Sequence, residues 1–267
     1  MSVTILIGAF VWLVLAMSFA WLVQRKTGNS GWIDAIWSAA TGLGGLFVVA
    51  CGTGFSSGRS MLAFALVFIW ALRLSVHIAA RSAHVSDDPR YRALLQGWGT
   101  AAAVRLWWFL QIQAVASFIL LLSIYAAASN TARFPGFWDG LAIIVALVAI
   151  SGEGVADFQL QMFRKGEKEP GEKRVCEVGL WRYCRHPNYF FEWLWWCSWP
   201  LIAVSGHGFS GMSLIALLAP VMMYWLLNSV SGIPHLEAHM LRSRGDAYRR
   251  YQKRVNAFFP GPRRPVG

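Results

Sequence analysis

The amino-acid sequence predicts an all-α, polytopic integral membrane protein, a single domain of seven transmembrane helices. The first observation is composition: 56% of the 267 residues are hydrophobic and only 14% are charged, whereas soluble domains carry about 25% charged residues. The second is spacing, because apolar stretches of about the 20 residues that a spanning helix needs recur along the whole chain. Together these features exclude a soluble globular protein, a disordered chain and a disulfide scaffold.

Seven stretches have the length and apolar character of spanning helices, and no repeat or polar linker divides them. The first stretch lacks the basic n-region and cleavage site of a signal peptide, so we expect it to remain in the mature protein. Helices are expected rather than strands, because lipid offers no partners to backbone polar groups. The predicted spans are 3–23, 32–51, 61–80, 104–128, 138–162, 189–206 and 209–231.

The net charge of +11 reflects either an acidic partner or membrane topology. With seven spans, the loops 24–31, 81–105 and 163–188 share a side with the C-terminal tail, and together they hold 21 of the 24 Lys and Arg residues. Because cytoplasmic loops are rich in Lys and Arg, this asymmetry predicts an N-terminus outside and a C-terminus in the cytoplasm. Nucleic acid is not an expected partner, since no basic helix or soluble domain accompanies the charge.

The cysteines and histidines do not form a recognisable disulfide or metal pattern. Cys176 and Cys184 fall on the predicted cytoplasmic side, where thiols stay reduced. His235 and His239 are four residues apart but lack the H-E-x-x-H order of a zinc site. We therefore expect no metal centre.

Polar side chains recur within three predicted spans at intervals of four residues, which places each set on one helical face. Ionisable groups in a span are costly and usually face a protein-lined or watery cavity. These sets either pair with one another to hold the bundle or line a cavity open to the cytoplasm. They are Arg73, His77 and Arg81; Glu153, Asp157 and Gln161; and Asn188, Glu192 and Trp196.

Two basic segments, 164–174 and 179–189, adjoin these polar faces. Guanidinium groups match phosphate oxygens, and an asparagine can pair with an amide or a ribose hydroxyl, so the region suits a phosphate-bearing cofactor. The G-L-G-G run at 42–45 lies inside the second span and is typical of close helix packing. A bound dinucleotide would therefore not use a Rossmann fold.

The segment 152–196 resembles the C-terminal region of the membrane steroid 5-alpha-reductase family. It contains D-F-Q-L from Asp157, G-L-W-R-Y from Gly179 and R-H-P-N-Y from Arg185. The runs 31–37 and 247–260 resemble the bacterial branch of that family.

Isoprenylcysteine and phospholipid methyltransferases carry a related R-H-P-x-Y run. The pair Asn188 and Glu192, with the polar face from Asp157 to Arg164, favours the reductase.

The resemblance implies an enzyme of the bacterial inner membrane that holds NADPH on its cytoplasmic side, with 152–260 as the cofactor-binding half. The family reduces the 4,5 double bond of 3-oxo-4-ene steroids, so a hydrophobic steroid-like substrate and membrane lipid are the expected partners, with no obligate protein partner. The residues implied to contact the cofactor are Asp157, Arg164, Arg174, Tyr183, Asn188, Glu192 and Glu237. The polar faces and basic runs add Arg73, His77, Arg81, Lys165, Arg185, His186 and Tyr189 to the predicted cofactor site.

The catalytic pair is predicted to be Asp34 and Trp70. The resemblance implies an acid on the second helix and a tyrosine on the third, both near the substrate carbonyl. Asp34 is the acid, whereas the third span has no tyrosine and Trp70 lies nearest its place. Hydride addition to an enone puts negative charge on the carbonyl oxygen, which a buried hydrogen-bond donor stabilises. A protonated Asp34, an indole N–H or a water would provide it.

Two other functions remain open from the sequence. One is a membrane methyltransferase that uses S-adenosylmethionine on a thiol or lipid amine. The other is a non-enzymatic lipid-binding or transport protein in which the polar side chains only pair with each other. Cofactor binding separates the three.

Overall fold

The computed structural model describes residues 3–84, 87–166, 174–205, 208–209 and 211–265. Within these ranges the chain is helical, and its only strand-like pairing is an isolated parallel bridge between Cys184 and Asn256. The helices are α1 Val3–Thr27, α2 Gly31–Thr53, α3 Gly58–His84, α4 Pro89–Trp98, α5 Ala102–Ala128, α6 Phe137–Lys165, α7 Pro187–Val204, α8 Gly211–Trp225, α9 Ile233–Arg244 and α10 Asp246–Arg254.

Six helical segments in the described part of the chain are long and apolar enough to cross a membrane, so the protein is a multi-pass membrane protein. The predicted span 189–206 corresponds to α7, which is not among the six. Asn188, Glu192 and four tryptophans in its 18 residues reduce its apolar character. The count of seven spans and the orientation of the termini stay predictions.

The chain comprises two compact units. Unit 1 comprises Met1–Ala142 and Trp199–Ala219, and unit 2 comprises Ile143–Ser198 and Pro220–Gly267. The predicted cofactor half, 152–260, thus overlaps mainly with unit 2.

In unit 1, α2 packs closely against its neighbours through the G-L-G-G run. A Cβ at Gly42 would lie 2.2 Å from Cβ of Ala71 on α3, and a Cβ at Gly44 would lie 2.8 Å from Leu121 on α5. The packing role expected for these glycines is therefore confirmed. Large apolar side chains such as Leu15 remain exposed on the outer helix faces, as lipid-facing surfaces require.

A fully buried ion pair also stabilises unit 1. Arg59 donates from Nε and Nη2 to the carboxylate of Asp139, both at 2.8 Å. Its Nη1 donates to the carbonyls of Asn130 and Ala132, and Nη2 also reaches Ser205. A buried guanidinium is tolerated because its donors are satisfied in this way.

In unit 2 the C-terminal segment pairs with the R-Y-C-R-H run. The amide of Arg185 donates to Asn256 at 2.9 Å, that of His186 donates to Ala257 at 3.2 Å, and that of Gly261 donates to Tyr183 at 3.1 Å. Beyond these bonds, Phe258 packs edge-on against Trp193 of α7 and Tyr224 of α8. The tail is therefore part of the fold around this run.

Candidate functional site

Unit 2 contains a cavity of about 110 Å³ with a basic lining. Its walls come from the end of α6, the segment 174–186, α9 and α10. The basic lining residues are Arg164, Arg174, Arg185, His186 and Arg244, and the apolar and aromatic lining includes Leu160, Phe163, Trp181, Met240, Tyr248 and Tyr251. The structure thus brings together four of the predicted cofactor residues: Arg164, Arg174, Arg185 and His186.

The turn that carries this lining is fixed by contacts to α6 and α10. Gln159 accepts a hydrogen bond from the amide of Leu180 at 2.9 Å, and its side chain lies where a Cβ at Gly179 would be. Trp181 donates its indole N–H to the carbonyl of Ala156 at 2.9 Å. Gly179 has a φ of +54°, a conformation that glycine adopts without strain. These contacts give the G-L-W-R run a structural role: it holds Trp181 in the cavity wall.

Glu237 of α9 lies at the centre of the polar contacts around the cavity. Its Oε1 accepts from Nε of Arg185 at 2.7 Å and lies 3.1 Å from Nε2 of His186, while its Oε2 accepts from Gln252 at 2.8 Å. Nη1 of Arg185 donates to the carbonyls of Gln252 and Val255. Arg185 is thus held by protein groups on at least two of its three nitrogens.

His186 is buried with only 2% of its surface exposed. Burial lowers the pKa of His186 below its ordinary value, and the positive charge of Arg185 lowers it further, although Glu237 acts in the opposite direction. Because a carboxylate only accepts hydrogen bonds, the neutral ring donates from Nε2 to Glu237, which leaves Nδ1 as an acceptor. Nδ1 is buried and has no hydrogen-bond partner among the residues that the structure describes.

Other predicted cofactor residues of unit 2 do not line this cavity. Asn188 donates to Asp157 at 3.4 Å, and Glu192 accepts from the indole of Trp196 at 2.9 Å. Tyr189 stacks on His186 with ring centroids 5.6 Å apart. The Asn188–Asp157 contact joins the polar faces of α6 and α7. Two further predicted residues, Lys165 and Tyr183, are exposed.

In unit 1, Asp34 lies in a polar cluster formed with α4. Its Oδ1 accepts from the phenol of Tyr91 at 2.9 Å, and its Oδ2 forms an ion pair with Arg90. Gln113 of α5 donates to the Tyr91 oxygen at 3.2 Å. Tyr91 is 5% exposed, and its hydroxyl oxygen lies between one acceptor, Asp34, and one donor, Gln113.

The remaining predicted residues of unit 1 lie on α3. Trp70 is buried and packs edge-on against Trp37 at 6.4 Å. Arg81 forms an ion pair with Asp88 at 3.7 Å. Arg73 and His77 also lie on this helix, whereas every residue that lines the cavity belongs to unit 2.

Several residues with site geometry were not identified from the sequence. Tyr91 follows the D-D-P-R turn, in which Asp88 caps the first turn of α4 by accepting from the amide of Arg90. That cap is readable as a helix start, but it does not indicate contact with Asp34. On the cavity side the missed residues are Arg244, Tyr248 and Tyr251 of the C-terminal tail; Gln252 of the same tail donates to Glu237.

Comparison with known proteins identifies the family of this chain. Residues 20–255 match the family described as "Protein of unknown function (DUF1295)". The chain therefore belongs to the DUF1295 family.

One relative is "Uncharacterized protein C594.04c" of Schizosaccharomyces pombe, which is 24% identical over 90% of this chain and 75% of its own length. No solved structure matches the chain.

Proposed function

We propose that this protein is an NADPH-dependent reductase of lipid enones, with 3-oxo-4-ene steroids as the model substrate class. The observation that carries the proposal is the cavity of unit 2, where four arginines and His186 line one space of about 110 Å³. That volume suits a phosphate group with its adjoining atoms rather than a whole dinucleotide. The sequence resemblance supplies the reaction class.

The donor set fits a phosphorylated cofactor. Arg174 stacks over the ring of Phe163, with Cζ 5.4 Å from the ring centroid, and Arg164 lines the same cavity from the end of α6. Guanidinium groups bind phosphate oxygens with charge-assisted hydrogen bonds. Arg164, Arg174 and Arg244 would hold the phosphates, while Arg185 and His186 would form the inner wall.

The same lining argues against the methyltransferase alternative. S-adenosylmethionine has no phosphate and carries a cationic sulfonium, which a set of four arginines would repel. The third alternative, a protein whose polar residues only pair structurally, agrees with the Asn188–Asp157 contact. It gives no reason for an arginine-lined cavity.

Tyr91 is the proposed hydrogen-bond donor to the substrate carbonyl. Bound NADPH would supply hydride to the β carbon of the enone. The Tyr91 hydroxyl would turn from Asp34 to donate to the carbonyl oxygen, where negative charge develops. Asp34 and Gln113 orient the phenol before the substrate binds, and water would deliver the proton to the α carbon. Tyr91 thus replaces Trp70 as the proposed donor.

The predicted topology completes the proposal. The predicted excess of Lys and Arg on one side of the membrane supports a cytoplasmic position for the cavity of unit 2, where NADPH is available. A bacterial inner membrane is the proposed location.

The proposal is tested by cofactor binding to the purified protein. We expect saturable binding of NADPH in detergent or nanodiscs, measured by quenching of tryptophan fluorescence, and no binding of S-adenosylmethionine. Arg164→Ala is expected to weaken NADPH binding, whereas Arg105→Ala, at an exposed position of unit 1, is the matched control. Binding of S-adenosylmethionine without NADPH would establish the methyltransferase alternative, and binding of neither cofactor would favour the third.

A further inference from the structure

Glu237 connects three separate parts of unit 2 through one carboxylate. It binds Arg185 and His186 of the R-H-P run and Gln252 of α10, and it lies on α9 itself. Arg185 in turn bonds the carbonyls of Gln252 and Val255. A single charged group therefore joins the inner wall of the cavity to both C-terminal helices.

Glu237 is not among the cavity-lining residues, whereas its partners Arg185 and His186 are. Its carboxylate is already engaged on both oxygens by protein donors. The geometry therefore differs from that of a residue that contacts a ligand directly, as the sequence resemblance had implied for this position.

We propose that Glu237 is a positioning residue for the cavity. It orients Arg185, and it fixes the His186 ring so that Nδ1, a hydrogen-bond acceptor, forms part of the inner wall. This inference rests on the proposed function for the identity of the ligand, but its structural part does not. His186 Nδ1 has no partner among the described residues, and a buried acceptor of this kind calls for a donor. A hydroxyl or amide group of a phosphorylated ligand would satisfy it.

The direction in which Glu237→Gln changes NADPH affinity distinguishes a positioning role from a purely electrostatic one. Glu237→Gln removes a negative charge that pairs with Arg185 of the cavity wall, so a purely electrostatic effect would strengthen binding of the anionic NADPH. Loss of positioning has the opposite sign, because the neutral amide of Gln weakens the charge-assisted bonds to Arg185 and His186 and replaces the oxygen that accepts from Gln252 with a second donor. We expect Glu237→Gln to weaken NADPH binding about tenfold, the usual scale for one charge-assisted hydrogen bond.

The matched control is Asp246→Asn. Asp246 is an exposed acid of α10 in the same unit, and it pairs only with the exposed Arg249 among the described residues. This substitution removes the same charge without touching the cavity and is expected to leave NADPH affinity unchanged. Glu237→Asp, which keeps a carboxylate with two acceptor oxygens on a shorter side chain, is expected to restore part of the lost affinity. Glu237→Gln combined with His186→Phe is expected to cost less than the sum of the two single losses.

A second measurement does not depend on the cofactor. The amides of Arg185 and His186 donate to Asn256 and Ala257, so their hydrogen–deuterium exchange reports the position of the run. We expect faster exchange at these amides in Glu237→Gln than in the wild type or Asp246→Asn.

Unchanged or tighter NADPH binding by Glu237→Gln, in a wild type that binds NADPH, would overturn the positioning role alone. A wild type that does not bind NADPH would overturn the proposed function, while the exchange rates would still decide the positioning role. Unaltered exchange would overturn it.

Discussion

The phenol oxygen of Tyr91 lies 2.9 Å from Oδ1 of Asp34, although 57 residues separate the two along the chain. Gln113 donates to the same phenol from a third helix. This arrangement gives unit 1 an oriented hydroxyl donor beside an ion-paired carboxylate, which is the chemistry that a developing enolate oxygen requires.

Removal of this hydroxyl is expected to affect turnover more than cofactor binding. Tyr91→Phe should lower kcat about 100-fold or more, the usual loss when one oxyanion donor is removed. Asp34→Asn should also lower turnover more than NADPH affinity. Steady-state kinetics with a 3-oxo-4-ene steroid provide the measurement, and Trp70→Phe is the control, for which we expect only a small change. If Trp70→Phe had the larger effect on kcat, the donor would be the indole.

The arginines at the exposed side of the cavity are expected to contribute separately to affinity. Arg174→Ala should weaken NADPH binding about tenfold, because one charge-assisted phosphate contact is lost. The loss should be smaller for NADH, which has the pyrophosphate but lacks the 2′-phosphate of NADPH. Parallel titrations of both cofactors with the wild type and Arg174→Ala measure the difference. Equal losses of affinity for NADPH and NADH would show that Arg174 does not contact the 2′-phosphate.

Burial of His186 makes the stability of the protein depend on pH. Since the pKa of His186 is lowered in the folded protein, protonation favours the unfolded state. The contribution of His186 to stability is therefore complete above pH ~6.5, its unfolded pKa, and is lost as the pH falls from there through the folded pKa. Thermal unfolding between pH 8 and 5 should show a steeper decline for the wild type than for His186→Gln.

His84→Gln, at an exposed position of α3, is the control for this pH dependence and should follow the wild type. If His186→Gln and the wild type declined in parallel, a depressed pKa of His186 would be excluded.

The buried ion pair of unit 1 is expected to be essential for stability. Arg59→Ala leaves Asp139 buried without its cation, and breaking a buried pair in this way typically costs about 3–5 kcal/mol. Thermal unfolding of the purified protein measures the loss. The control is Arg133→Ala. Arg133 has an exposed side chain and contacts Arg59 only through its backbone carbonyl, so this substitution should leave the melting temperature nearly unchanged. Equal melting temperatures for the two variants would contradict this account of the pair.

Hydropathy and charge predicted much of the architecture because both are local properties. Each of three correct predictions depends on one or two short stretches of sequence. These predictions are the long apolar helices, the packing role of Gly42 and Gly44, and the common site of Arg164, Arg174 and Arg185. The short helix α4 was missed, since its ten residues are too few and too polar to count as a span.

The long-range contacts of the candidate site could not be read in this way. Tyr91 meets Asp34 because α4 folds back toward the start of α2, and no local pattern encodes that return. The same holds for Glu237, whose three partners come from different segments. Sequence spacing assigned Asn188 and Asp157 to polar faces but did not decide between mutual pairing and ligand contact. The structure shows that they pair with each other.

The most direct test of the proposed function follows the hydride. The purified protein is incubated with a 3-oxo-4-ene steroid and NADPH that carries deuterium at both positions of nicotinamide C4, and the product is analysed by mass spectrometry. We predict a saturated 5-alpha ketone with one deuterium on C5, and no such product from Tyr91→Phe over the same period. Failure of the wild type to transfer deuterium to any of several steroid and simpler lipid enones would contradict the assignment as an enone reductase.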